Sequence, residues 1–189
     1  MNLFRTLSGA AVLCLTSAGL NSCINAPDYA EEPTITFKEV RVTHVPAGIE
    51  IATDTLEFVL DYRDGDGDLG LDPDDLLNPP FFQESGAPRN RNSYNYFIQP
   101  LARNLAGVFV PYLIPGTRLG DYDGRFPRLV EATDTKAAPI RGTMRYKLPL
   151  SLDGVSYFEG QVLKFEISIL DRKLHESNKI TTSEVRLGL

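Results

Sequence analysis

The chain has 189 residues, a formal net charge of −6 and 42% hydrophobic residues. This balance supplies a full core and leaves an acidic surface, which argues against nucleic acid, where affinity comes from neutralising phosphates. It has no tryptophan, only two histidines and two cysteines, and 13 prolines with 15 glycines interrupt it at short intervals. Those counts disfavour long helices, disulfide frameworks and histidine-rich metal sites.

Residues 1–22 begin with a short polar start whose only charge is Arg5. An apolar run from Leu7 to Leu15 follows, then the small-residue segment Thr16-Ser17-Ala18-Gly19. This is the tripartite layout of a secretory signal, and the run falls short of the roughly 20 apolar residues that span a bilayer. Leu20-Asn21-Ser22-Cys23 resembles the bacterial lipobox, with Asn21 departing from the usual small or aliphatic residue. The reading is a signal peptide over 1–22 and lipidation at Cys23. Cys14 lies within the removed segment, so Cys23 is left without an intramolecular partner, and thioether lipidation occupies its thiol. Residues 23–33, with two prolines and three acids, read as a flexible tether. The expected location is the cell envelope, lipid-anchored at the outer membrane and facing the periplasm or the surface. Without residues 1–22 the chain carries a charge of −7 over 167 residues.

The folded part, 34–189, is predicted to be one domain. Leu56, Phe58, Leu60 and Tyr62 alternate along a strand near 55–62, and Tyr94, Tyr96 and Ile98 along one near 94–103. Ile140, Met144, Tyr146, Leu148 and Leu150 mark a long strand near 139–150, with Arg141, Arg145 and Lys147 on its opposite, solvated face. Leu163, Phe165, Ile167 and Ile169 mark another near 161–170. Weaker alternation runs through 34–45, 106–114 and 180–187, and a phase change in the first of these predicts a bulge near Lys38-Glu39. About seven strands with no helical periodicity imply an all-β fold. The expectation is a single antiparallel sandwich of the immunoglobulin or fibronectin-III type, with a long Asp-rich loop inserted over 63–93.

That loop carries the chemistry. Asp64, Asp66, Asp68, Asp72, Asp74 and Asp75 place six carboxylates in twelve residues, interleaved with Gly65, Gly67 and Gly70. Calcium takes six to eight hard oxygen ligands from a loop able to fold tightly around it. The expected ligands are the side chains of Asp64, Asp66 and Asp68 and the carbonyl of Gly70, with Asp72 or Asp75 closing the shell. Counted as an EF-hand from Asp64, position six is Leu69 instead of Gly and position twelve is Asp75 instead of Glu. With a strand and a proline-rich loop as flanks, the EF-hand fails and a calcium-stapled β-domain loop is the better reading. The competing reading is a solvated acidic turn. Asp171, at a strand end, is a further ligand candidate or the cap of its own loop.

The segment from Phe58 to Leu71, a strand followed by Asp64-Gly65-Asp66-Gly67-Asp68-Leu69-Gly70-Leu71, resembles a family of small bacterial lipoproteins. Gly124-Arg125-Phe126-Pro127-Arg128-Leu129, Leu163 to Arg172 and Ser177-Asn178-Lys179 are similar to later segments of that family. The resemblance implies an immunoglobulin-like sandwich on a lipid anchor, and no particular activity.

Catalytic motifs are scarce. His44 and His175 have no metal-site partner at useful spacing, and there is neither a nucleophile elbow nor a phosphate loop. The expectation is therefore a non-enzymatic envelope protein, a calcium-stabilised binding or structural module, with the membrane and an envelope protein as partners. A glycan-binding surface lipoprotein using Tyr94, Tyr96, Tyr112 and Tyr122 is the alternative. A hydrolase with a hidden carboxylate pair stands third.

Overall fold

The computed structural model describes residues 27–114, 116–130 and 137–189. The signal segment, Cys23 and the first tether residues lie outside the described residues. Among those described there is no α-helix, and none long and apolar enough to cross a membrane. Among the described residues eight strands form two antiparallel sheets. The first joins β1 (Thr34–Val45), β2 (Thr53–Asp64) and β5 (Ile140–Ser151) in the order β1-β2-β5. The second joins β4 (Phe109–Pro111), β3 (Tyr96–Arg103), β6 (Val162–Ile169) and β7 (Ile180–Thr181) in that order, and β8 (Val185–Arg186) also pairs with β6. The molecule is a β-sandwich.

The strongly alternating segments became the central strands because each presents one apolar face. Leu56, Phe58 and Leu60 of β2 meet Leu163, Phe165, Ile167 and Ile169 of β6, all buried in one core. Phe58 and Phe165 touch edge to face with centroids 4.9 Å apart, and Tyr96 of β3 stacks on Tyr146 of β5 at 4.2 Å. The register of β1 on β2 shifts between Phe37 and Glu39, so one extra residue at Lys38 reconciles the two phases of β1. On β5, Arg141, Arg145 and Lys147 point to solvent.

Two expected strands are shorter than their alternation suggested. Only 109–111 of the segment 106–114 pairs, because the chain turns at Asn104, whose side chain accepts from the amides of Ala106 and Val108. The segment 180–187 splits into β7 and β8. Thr182 lies between them, its hydroxyl accepting from the Phe165 amide and its own amide donating to the Phe165 carbonyl.

The insertion 63–93 is folded against the domain. It contains short 3-10 turns at Asp75–Leu77 and Arg91–Ser93. A second loop, 120–129, holds it in place: Leu71 N donates to Phe126 O at 3.1 Å, and Leu129 N donates to Leu69 O at 3.2 Å. Asn95 binds both the amide and the carbonyl of Phe126 at 2.8 and 2.9 Å. At the same end, Asn178 binds the amide and carbonyl of Ile35, fixing the start of β1 and with it the exit of the tether.

Candidate metal centre

Asp64 is the last residue of β2 and has no exposed surface. Its Oδ2 accepts from the amide of Asp68 at 3.0 Å, closing a tight turn that throws Asp66 and Asp68 back toward it. Gly67 makes the turn possible, with φ +74° and a position where a Cβ would stand 2.5 Å from the Ala138 carbonyl oxygen. Leu69 then plunges into the core, fully buried, and bridges Asp171 in an antiparallel pair. This explains the departure from the EF-hand spacing: the position that needs Gly in that motif is here the hydrophobic pin of the loop. Gly70, at φ +96°, passes so close to Pro127 and Arg128 that a side chain would strike their backbone. Its role visible here is close approach to the loop 120–129.

One ligand atom from each of Asp64, Asp66 and Asp68 lies within 4.8 Å of the other two. Asp64 Oδ1, Asp68 Oδ1 and both oxygens of Asp66 are buried and accept no hydrogen bond. Asp66 Oδ2 does lie 2.7 Å from Lys173 Nζ, an ion-pair contact without hydrogen-bond alignment. Buried carboxylate oxygens left this way are costly, because nothing replaces the water they have lost. The cost is visible in the proton affinities. Burial first, then the charges of Asp66 and Asp68, pushes the Asp64 carboxyl up to about 7. Burial, then Asp171 and Asp66, raises Asp68 to about 6.

Asp72 and Asp75 are brought elsewhere. Arg128 claims both, with Nε 2.9 Å from Asp72 Oδ2 and Nη2 2.5 Å from Asp75 Oδ1. Asp75 Oδ2 also accepts from the Asp72 amide at 2.8 Å. Burial works against the charge of Asp75, but its bonds to Arg128 and to the Asp72 amide outweigh it and hold its carboxyl below the ordinary value. Of the expected side-chain ligands, then, the structure draws together three and gives two a structural ion pair.

Asp171 takes the capping place, and the group of possible metal ligands does not include it. Its carboxylate accepts from the backbone amide of His175 at 2.7 Å and pairs with the ring Nδ1 at 2.9 Å, capping the turn 171–175. It is also buried beside the acidic loop, and burial raises its carboxyl in spite of those bonds. His44 is likewise engaged, with Nδ1 2.6 Å from the buried Asp54. Of the tyrosines considered as sugar platforms, Tyr96 is buried in the core with no hydrogen-bond partner for its hydroxyl, and the other three are engaged at the surface. Tyr94 lies under the guanidinium groups of Arg89 and Arg125, Tyr112 donates to the Ser156 carbonyl, and Tyr122 accepts from the Tyr157 hydroxyl.

Sequence reasoning missed Arg128 and Lys173, which between them pair with three carboxylates of the loop. Neither could be found by spacing, since Arg128 lies 53 residues beyond Asp75 and is brought there by the pairing of two loops. Chemically, the site gathers anionic oxygens from three carboxylates, with the Lys173 ammonium in contact with one of them. Comparison with protein-family models, curated proteins and solved structures finds no match to this chain.

Proposed function

We propose that this chain is a lipid-anchored cell-envelope module, non-enzymatic, whose loop Asp64–Asp68 binds calcium and is stabilised by it. The observation that carries the metal reading is the set of three buried carboxylate oxygens, Asp64 Oδ1, Asp66 Oδ1 and Asp68 Oδ1, that have no hydrogen-bond partner, with Asp66 Oδ2 met only by the Lys173 ammonium. A hard divalent cation is the natural partner for such donors, and calcium tolerates the irregular spacing better than magnesium, which demands a near-ideal octahedron. The strand orders β1-β2-β5 and β4-β3-β6-β7 support the finer immunoglobulin or fibronectin-III reading of the sandwich.

The test is a pair of thermal melts, one with calcium and one with chelator. A ligand that binds only the folded state stabilises it by about 2.7 kcal/mol at a hundredfold excess over its dissociation constant. For a domain of this size that corresponds to a rise in Tm of roughly 5–10 °C. Identical melts in the two conditions, with calcium in millimolar excess, would reduce the loop to an acidic turn.

The anchor rests on the sequence Leu20-Asn21-Ser22-Cys23. Intact-mass measurement on detergent-extracted protein is expected to give a chain starting at Cys23 with added acyl mass. A chain starting elsewhere, or carrying a free thiol at Cys23, would contradict it.

A further inference from the structure

Lys173 stands where the tether and the metal loop meet. Its ammonium lies 2.7 Å from Asp66 Oδ2 and 3.2 Å from Glu31 Oε2. Those two carboxylates hold its proton more tightly than an ordinary lysine would. The tether backbone is seated as well. A Cβ on Gly65 would fall 2.4 Å from the Tyr29 carbonyl oxygen and 2.5 Å from that of Ala30, so the absence of a side chain at 65 is what lets the tether lie across the loop. Arg63 completes the contact with its guanidinium 5.8 Å from the centre of the Tyr29 ring. Next to this seat, Asp64 and Asp68 are at least nine-tenths buried, each has an oxygen without a hydrogen-bond partner, and one carboxylate oxygen of each lies within 4.8 Å of the other and of one from Asp66.

We propose that Lys173 is a resident counter-ion that a divalent cation displaces from Asp66, so that metal binding at Asp64–Asp68 unseats the tether segment 29–32. This rests on the metal reading given above and adds regulation to the same site. The physical reason is competition for one carboxylate. Lys173 offers one positive charge to three carboxylates, and a calcium ion offers two together with six to eight coordination positions. Ammonium and ion sharing Asp66 carry like charges within a few ångströms and repel each other. The lysine is half exposed on a flexible stem, so it withdraws into solvent at little cost. Among the described residues Glu31 has no ion pair except Lys173, so the tether loses its polar latch when the lysine leaves. Coupling of this kind is reciprocal: whatever loosens the latch strengthens metal binding by the same factor.

The reciprocity gives a test with opposite signs for the latch and for simple electrostatics. Calcium is titrated calorimetrically into the full chain in detergent, for the wild type, Glu31→Gln and Lys173→Met. In parallel, cleavage at the Glu31–Glu32 bond by a glutamate-specific protease is followed by mass spectrometry with and without calcium. Glu31→Gln removes a negative charge near the site, which by its field alone weakens calcium binding. As a latch residue, its loss instead tightens binding about two- to fivefold, the range set by one exposed ion pair. Calcium is expected to speed wild-type cleavage several-fold, and Lys173→Met to be cleaved at that fast rate without calcium. Calcium binding with unchanged cleavage, or weakened binding in Glu31→Gln, overturns the latch alone. No calcium heat in the wild type overturns the latch together with the metal reading.

Discussion

In chelator, Asp64→Asn is expected to be more stable than the wild type, which is the reverse of what removing a buried hydrogen-bonded side chain normally does. Asp64 is fully buried, one of its oxygens has no partner, and Asp66, Asp68 and Asp171 press further negative charge on it. Asparagine keeps the shape and the oxygen that accepts from the Asp68 amide while removing the charge. A carboxyl raised from its ordinary value to about 7 corresponds, at ~1.4 kcal/mol per unit, to a neutral-pH penalty on the order of 2–4 kcal/mol when the coupling to Asp68 is allowed for. The variant therefore melts several degrees higher without metal and gains almost nothing from calcium. If it melts lower than the wild type in chelator, the fold itself needs the anionic form of Asp64 and no net repulsion is stored there.

The second large effect is on pH. The folded-state carboxyls of Asp64 and Asp68 titrate near 7 and 6, above their ordinary range in an unfolded chain near 4. Between about pH 4 and 7 the folded state therefore holds protons that the unfolded state has released. Stability contributed by this cluster falls as pH rises through that window and levels off above 7. The metal-free protein is thus expected to melt several degrees higher at pH 5.5 than at pH 8. Calcium bound at the proposed site is expected to reverse the trend, because a cation there takes the deprotonated carboxylates and competes with those same protons. The measurement is a set of melts from pH 5 to 8 in chelator and in calcium. Parallel profiles in the two conditions would contradict the assignment of the raised carboxyls to the metal site.

The sequence revealed the sandwich where alternation is enforced by burial on one face only. Leu56, Phe58 and Leu60, or Leu163, Phe165, Ile167 and Ile169, could hardly have been placed otherwise. The bulge at Lys38 was legible for the same reason, since the phase of the apolar residues changes there. Short edge pairings such as 109–111 were overestimated, because turn chemistry at Asn104 ends the ladder in spite of the pattern.

The acidic loop was legible as a cluster of hard oxygen donors but not in how those donors are shared out. Six aspartates look equivalent in sequence, and only long-range partners sort them. Arg128 takes Asp72 and Asp75, Lys173 takes Asp66, and the core takes Leu69. Asp64 and Asp68 are then left with buried oxygens that nothing else satisfies. Burial by distant segments is invisible to local spacing, and it is burial that turns an acidic turn into a site with unmet demand for charge.

The most direct test of that demand is a calorimetric titration of calcium into metal-stripped protein at pH 7.5, with Asp68→Asn as the comparison. One saturable site is expected in the wild type and a loss of most or all binding in the variant, whose chelator melt stays as high as the wild type or higher. No binding heat in the wild type, or equal binding by the two proteins, would contradict the assignment of Asp64, Asp66 and Asp68 as a calcium centre.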